Sequence, residues 1–568
     1  MPGRKHSRVG LLLALFCVLA MLVAACGGTP PVPTGKLVPA PPDQQVLRFP
    51  IGATDFGSLD PALATVSTDI FAVQTIFTGL VELRGDGTVM DQMATSHEIS
   101  ADGLSYTFHL RPNLTFSDGT PLTTQDIAYS INRSLQPATK SPLASLLSAM
   151  KDFDKIIAGK TNSLIGDSIL VPNDHTLSIV LTRPTPSFLA SFAFPITFPV
   201  NRKLIEKYGT SWTDHLGEGA GDGPFQAASY QHNTGLTVVP NPRYYGVKPR
   251  LQKIELLRSG KPDTTYAAYQ ANQIDLAAVP GSHVELAKKR KDFKQAPALQ
   301  ITYLTMNYLA KPFDNIKIRQ AFALALDKDV LAQRVLHDTV LPTNHLMPDG
   351  MPGFNKALTG PGGVSSTQGD VTKARQLLQE GMQEEGYSSI SQMPSITLAY
   401  FILDSDTANL ITVLAQRWQT VLGVTVRPNL MAIDVLLQQM TNSTGHTGPL
   451  QMWFLSYGGI ADPEQWLSII FGKGATFNNM NYGQNNSSDA AEQQAMQAEL
   501  AVADSNLNPQ QRTQQYNNAE QKLVNDVSWI PLFQVKQSLV VNPKLQNFPI
   551  YPISIIPPDE WGKIYFVQ

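Results

Sequence analysis

Cysteine is almost missing from this 568-residue chain: there are two, Cys17 and Cys26, both at the start. The 542 residues after Cys26 hold none, which excludes a disulfide framework, a thiolate metal cluster and a cysteine nucleophile from the body. Charge is sparse too. Asp, Glu, Lys and Arg make up 16% of the chain, against about 25% in an average soluble domain. The formal net charge is −3, with no basic stripe and no acidic tail. That pattern argues against disorder and against nucleic-acid binding, both of which call for strong charge imbalance. Reaction motifs are lacking as well: no G-x-S-x-G elbow, no Walker A loop, no H-E-x-x-H pair. The ten histidines are scattered, none at metal-ligand spacing on a helix. Residues 217–223 read GEGAGDG, but Asp222 breaks the G-x-G-x-x-G fingerprint. A glycine turn entering a strand near Phe225 is the better reading. An enzyme is therefore not the expectation.

What is present is ample core material: 43% of residues are apolar. At roughly 150 residues per domain the length suits three or four domains, or two large lobes.

The N-terminus reads as an export signal over residues 1–25. Arg4, Lys5 and Arg8 precede an unbroken apolar run at 9–23, then Ala24, Ala25 and Cys26. The run is shorter than the ~20 residues of a membrane-spanning helix, and small residues before a cut site are what a signal peptidase needs. The string Leu22-Val23-Ala24-Ala25-Cys26 resembles a bacterial lipobox. That resemblance implies alkylation of the Cys26 thiol by diacylglycerol and cleavage just before it. An ordinary secretory signal and an uncleaved anchor are the alternatives. Loss of the three positive residues would take the net charge from −3 to −6. Residues 26–45 then form the lipidated cysteine and a linker with six prolines. A polyproline path of about 3.1 Å per residue would reach roughly 60 Å, enough to hold a globular body above a membrane.

The body reads as α/β. Strands are expected at 46–51, 104–110, 254–257, 274–279, 301–306, 396–401, 424–428 and 451–456, where apolar and β-prone residues cluster. Thr123 and Asp126 have capping-box spacing ahead of a helix over 126–135. Asp314 is expected to cap a helix through Leu326 that aligns Ile318, Phe322 and Leu326 on one face. Asp327 is expected to cap the next helix, and 407–422 is a third. Strands alternating with helices point to layered α/β architecture.

Ordered motifs then give a family resemblance. Leu59-Asp60-Pro61 and Gly79-Leu80-Val81 are followed by the strand residues Tyr106, Phe108, Leu110 and Arg111. Phe116, Asp118, Gly119 and Leu122 come next, then Asp126, Tyr129 and Ser130. Downstream stand Gly221-Asp222-Gly223-Pro224-Phe225, Asn241-Pro242 with Tyr244 and Tyr245, and Pro312-Phe313-Asp314. Arg319-Gln320-Ala321, Ala325-Leu326-Asp327-Lys328 and Ile530-Pro531-Leu532 complete the series. The chain thus resembles the bacterial extracellular solute-binding protein family 5, the oligopeptide, dipeptide and nickel receptors of ABC importers. Asp222 departs from the threonine usual at its position.

The resemblance implies a periplasmic-binding-protein-like clamp of two lobes with an extra inserted N-terminal domain. Mapped by motif, domain I takes 46–74, 213–300 and 530–568, domain II 75–212 and domain III 301–529. It implies a lipid-anchored, extracytoplasmic, monomeric receptor with no cofactor, metal or nucleic acid, serving an ABC permease and ATPase. Peptide is the expected solute; an oligosaccharide or metal chelate is the alternative, and a secreted hydrolase or envelope chaperone the reading from another class. Peptide-binding members commonly carry an Asp four residues before a proline that pairs the ligand's amino group; here that position is Gly459, ahead of Asp462-Pro463. Either another carboxylate serves, with Asp55 just after the first strand a candidate, or the ligand lacks a free amino terminus. Trp453 and Tyr457 are candidates for an aromatic wall, beside Gly458, Gly459 and Asp462.

Overall fold

The computed structural model describes residues 37–568 apart from Ser405, Thr476, Ile553 and Ser554. The signal, Cys26 and the linker up to residue 36 lie outside the described residues.

Three sheets organise the chain. In the first, β1 (Val46–Pro50) runs parallel to β10 (Lys253–Leu257), which pairs antiparallel with β9 (Gly235–Pro240) and, through it, with β8 (Phe225–Gln231). Helix α1 (Ser67–Ile76) packs here, and the core gathers Leu47, Phe71, Trp212, Phe225, Ile254 and Trp561. The glycine turn does enter β8 at Phe225. A Cβ on Gly221 would overlap the Ile76 carbonyl oxygen, so only glycine lets the turn pass the end of α1. Asp60 of the Leu-Asp-Pro motif is buried, receiving Arg133 through both guanidinium ends and Trp212 Nε1 at 3.1 Å.

The second sheet has the order β4 (Ala94–Ile99), β5 (Ser105–Leu110), β7 (Thr176–Val180), β6 (Ile169–Asn173). Strand β5 alternates in burial, with Tyr106, Phe108 and Leu110 inward, as a half-covered antiparallel strand should. Helix α2 (Thr124–Ser134) has the expected capping box: Thr123 Oγ1 accepts from Gln125 N, and the Asp126 carboxylate accepts from Thr123 N at 2.8 Å. A hairpin of β2 (Val81–Leu83) and β3 (Val89–Asp91) adjoins this body.

The third sheet has seven strands. Its order is β11 (Leu276–Ala278), β17 (Ile530–Val541), β12 (Phe293–Met306), β16 (Met452–Gly458), β14 (Ile396–Tyr400) and β15 (Val426–Leu430), with β13 (Val340–Pro342) also on β17. Both faces are covered. Leu304, Met452 and Leu398 face α4 (Ile316–Leu324), α5 (Val371–Glu384) and α6 (Thr407–Leu422). Tyr303, Trp453 and Trp529 face α7 (Ile433–Ser443), α8 (Ala490–Asp504) and α9 (Pro509–Asn525). Strands β12 and β17, 14 and 12 residues long, run on from this core to a small cluster around Tyr269, Val279 and Val540. At about 3.3 Å per residue β12 spans roughly 45 Å. Its pairing with β17 shifts register between Pro297 and Ile301, where a bulge bends the ladder.

Two expectations need correction. Asn315, not Asp314, caps α4: its side chain accepts from Lys317 N and Ile318 N, while Asp314 pairs with Lys311 at 2.6 Å. The helix also stops at Leu324, although Ile318, Phe322 and Leu326 are all buried as the spacing implied. The strand expected at 301–306 is only the second half of β12, because Pro297 and the polar residues before it hid the first half.

Candidate functional site

Beyond β16 the chain leaves the third sheet and crosses to the second. Gly458 is exposed and Gly459 half-buried. Ile460 packs against the core of the β4–β7 body, and a Cβ on Gly87 would press on Ala461. Asp462 caps the turn at Pro463–Gln465, accepting from Glu464 N at 2.9 Å. It is also clamped by Arg512 of α9, at 2.9 and 2.8 Å. Glu464, 6% exposed, accepts the Ser187 hydroxyl from the opposite body. Arg512 stands 3.8 Å and Arg183 4.0 Å from its carboxylate. Burial pushes the Glu464 carboxyl up to about 7, with the Asp504 and Asp462 charges adding and the Ser187 hydrogen bond opposing. This loop is the seam along which the two bodies meet.

Of the residues singled out by sequence, five share this segment. Trp453 is fully buried at the sheet's centre, opposite Thr305. It belongs to the core and is no wall for a solute, which corrects the sequence expectation. Tyr457 is partly exposed; its hydroxyl donates to the Gln465 carbonyl at 2.9 Å and its ring meets Trp466 edge-on at 5.1 Å. A Cβ on Gly459 would lie 3.3 Å from both Trp466 and Tyr457, so the glycine leaves room for these two rings.

Asp55 sits elsewhere. Its carboxylate accepts from the amides of Phe56 and Asn233, each at 2.9 Å, and from Tyr230 at 3.3 Å, and lies 3.2 Å from His232 Nδ1. Partial burial raises its pKa, but the four contacts outweigh this and hold it below the usual carboxylate range. Asp55 organises the 230–233 turn, and none of those partners belongs to the β16 loop.

A cavity of about 490 Å³ opens where the ends of β1, α1, β11 and β17 converge. Its walls are Phe49, Pro50, Gly52 and Ala53 around the end of β1, Phe71 of α1, residues 259–262 with Thr265, and β11. Gln537 and Leu539 of β17 and residues 548–551 with Ile555 and Ile556 complete it. Phe49 stacks on Phe71 at 4.3 Å, with Phe548 6.4 Å away. The size is that of a small-molecule site. Tyr551 links this cavity to the seam: it lies against Gly85 of the β2–β3 turn, where a Cβ would overlap its ring. Sequence reasoning missed the cavity. The one local signal was the aperiodic apolar, proline-rich run at 548–558.

A seam between the second and third bodies, long strands running from the third sheet towards β11, and a solute-sized cavity beside β17 have the form of a two-lobed binding clamp. Comparison with known proteins agrees. Residues 88–479 match the model of bacterial extracellular solute-binding proteins, family 5. The chain therefore belongs to that family, the solute-capturing components of ABC importers. It is 28% identical over 466 residues to the oligopeptide-binding protein OppA of Bacillus subtilis strain 168, covering 81% of this chain and 83% of that one. It is 28% identical over 513 residues to the probable deoxycholate-binding periplasmic protein YgiS of Escherichia coli K12, covering 89% and 91%. The unliganded open form of the periplasmic murein tripeptide-binding protein MppA matches with a TM-score of 0.74 and 27% identity, over 94% of this chain and 99% of that one.

Proposed function

We propose that this chain captures peptides outside the cytoplasm by closing its lobes, and hands them to an ABC permease driven by its ATPase. The observation that carries this reading is the pairing of a solute-sized cavity with the hinge-like strands β12 and β17 beside it. Relatives named for oligopeptides and murein peptides support the choice of solute. Tyr457, Gly458 and Gly459 border the closing seam and are the residues of the β16 segment placed to meet a ligand. Asp55 has the weaker claim, since its oxygens are already taken.

The domain division proposed is 46–74, 213–300 and 530–568 against 75–212 and 301–529. The separate hydrophobic clusters support it in outline, although Phe198, Leu204 and Trp212 pack with the first sheet and favour an earlier end to the second domain, near 197, and Ile530, Leu532 and Phe533 pack with the core of 301–529. Anchoring through Cys26 is proposed from the lipobox resemblance. Among the described residues no helix is long and apolar enough to cross a membrane. The direct test is mass spectrometry of ligand co-purified with residues 37–568: peptides are expected, and a non-peptide solute overturns the choice.

A further inference from the structure

The cavity wall carries a single charged side chain. Among the described residues no aspartate, glutamate, histidine or arginine lines it, and Lys261 is its one cation. Its other polar side chains are largely occupied. Thr265 donates to the Ser259 hydroxyl at 3.2 Å, that hydroxyl accepts from Gly52 N at 3.3 Å, and Gln537 Nε2 donates to the Tyr551 carbonyl at 3.1 Å. Lys261 is exposed and forms no ion pair or side-chain hydrogen bond among the described residues. It is also the N-cap of α3 (Pro262–Gln270), whose Pro262 and Thr265 share the wall, while Asp263 of the same first turn lies outside it. The remaining surface is aromatic and aliphatic.

An ammonium group enclosed here would have no carboxylate partner, and a buried unpaired charge is costly. Three acids stand next to lining segments but outside the wall: Asp55 is held by the 230–233 turn, Asp275 is paired with Arg48 at 2.8 Å, and Asp263 lies 4.0 Å from His283. We infer that the cavity selects a ligand with a bulky apolar body, one anionic group seated at Lys261, and no cationic group. This rests on the solute-capture reading above and narrows it. Two sources share the chemistry: a short apolar peptide whose amino end is blocked, and a non-peptide amphipathic acid. Gly459, where an amino-pairing acid would otherwise stand, agrees with either.

Calorimetry on residues 37–568 freed of co-purified ligand tests this with four probes. They are an N-acetylated tripeptide of leucine and phenylalanine, the same peptide with a free amino end, the acetylated peptide as its C-terminal amide, and deoxycholate. The expected result is that the acetylated acid binds at least tenfold more tightly than either the free-amino peptide or the amide. Lys261→Gln should bring the acetylated acid down to the level of the amide without changing the amide, and Lys261→Arg should restore most of the difference. Ala278→Trp, at an exposed wall position, should block every probe. Tighter binding of the free-amino peptide overturns the inference while leaving peptide capture intact. Binding of deoxycholate alone, lost in Lys261→Gln, supports the inference and overturns peptide capture. An equal loss for acid and amide in Lys261→Gln, or no binding of any probe, counts against the inference.

Discussion

Ser187 and Glu464, 277 positions apart, are joined by a hydrogen bond from hydroxyl to carboxylate across the seam between the two bodies. Arg512 holds the same loop from behind through Asp462. The carboxylate is thus enclosed between a neutral donor and two neighbouring acids, Asp462 and Asp504, with Arg512 and Arg183 at longer range.

That enclosure gives a pH dependence with a definite sign. The Glu464 carboxyl is raised from 4.5 to about 7, so the folded protein binds this proton more strongly than the unfolded chain. Stability therefore falls as pH rises from about 4.5 to about 7 and the charged form is forced into the seam. Asp222 and Glu82 are raised by burial in the same sense, whereas Lys328, lowered by burial from 10.5 to about 7, adds stability only as pH rises above about 7. The difference between wild type and Glu464→Gln isolates the Glu464 contribution. Melting temperature against pH should show the wild type losing more than the variant over this window, by on the order of 1–3 kcal/mol. Parallel curves would remove Glu464 from the account.

Asp55→Asn should lower stability by about 1 kcal/mol, since asparagine keeps one acceptor but loses the charge-assisted hydrogen bonds. Ligand affinity should stay within twofold. Denaturant unfolding and calorimetry on the same preparation check both. The partner His232 has its pKa raised by the hydrogen bonds its ring donates to Asp214 and Asp55. Its small stabilising effect holds below its ordinary value of 6.5 and fades as pH rises through the raised one, and Asp55→Asn should flatten that trend. A large affinity loss with unchanged stability would return Asp55 to the binding site.

Gly221→Ala should cost about 2–3 kcal/mol, because the added methyl meets the backbone of Ile76, which cannot rotate away. Urea unfolding measures it. A neutral result would mean that the turn and α1 separate more easily than their packing indicates.

Cys26→Ser should give protein that is neither acylated nor processed by the lipoprotein signal peptidase. Metabolic labelling with a palmitate analogue reads the first and the mobility of the precursor the second. Normally acylated protein from this variant would contradict the anchor.

Much of the local structure was legible because its causes are local. The capping box of Thr123 and Asp126 and the bounds of α6 at Thr407–Leu422 depend on residues within a few positions of each other. Neighbouring cap candidates were harder: Asp314 and Asn315 both suit a cap, and the choice went to Asn315 because Lys311 engages Asp314. The site was far less legible. Nothing around Asp55 in sequence announces that Tyr230, His232 and Asn233 will fill its hydrogen-bonding positions. Trp453 and Tyr457 lie on the same face of β16, yet one is sealed beneath helices and the other reaches the strand's open end. The cavity draws on segments from Phe49 to Ile556, so no single window of sequence contains it.

The central claim is a clamp that closes on a solute, and small-angle X-ray scattering of residues 37–568 tests it most directly. Ligand is removed by partial unfolding and refolding, the radius of gyration is measured, and the co-purified ligand is added back to saturation. The account predicts a smaller radius with ligand, together with thermal stabilisation of about 2.7 kcal/mol at a hundredfold excess over the dissociation constant. An unchanged radius, with calorimetry showing the ligand bound, would contradict it.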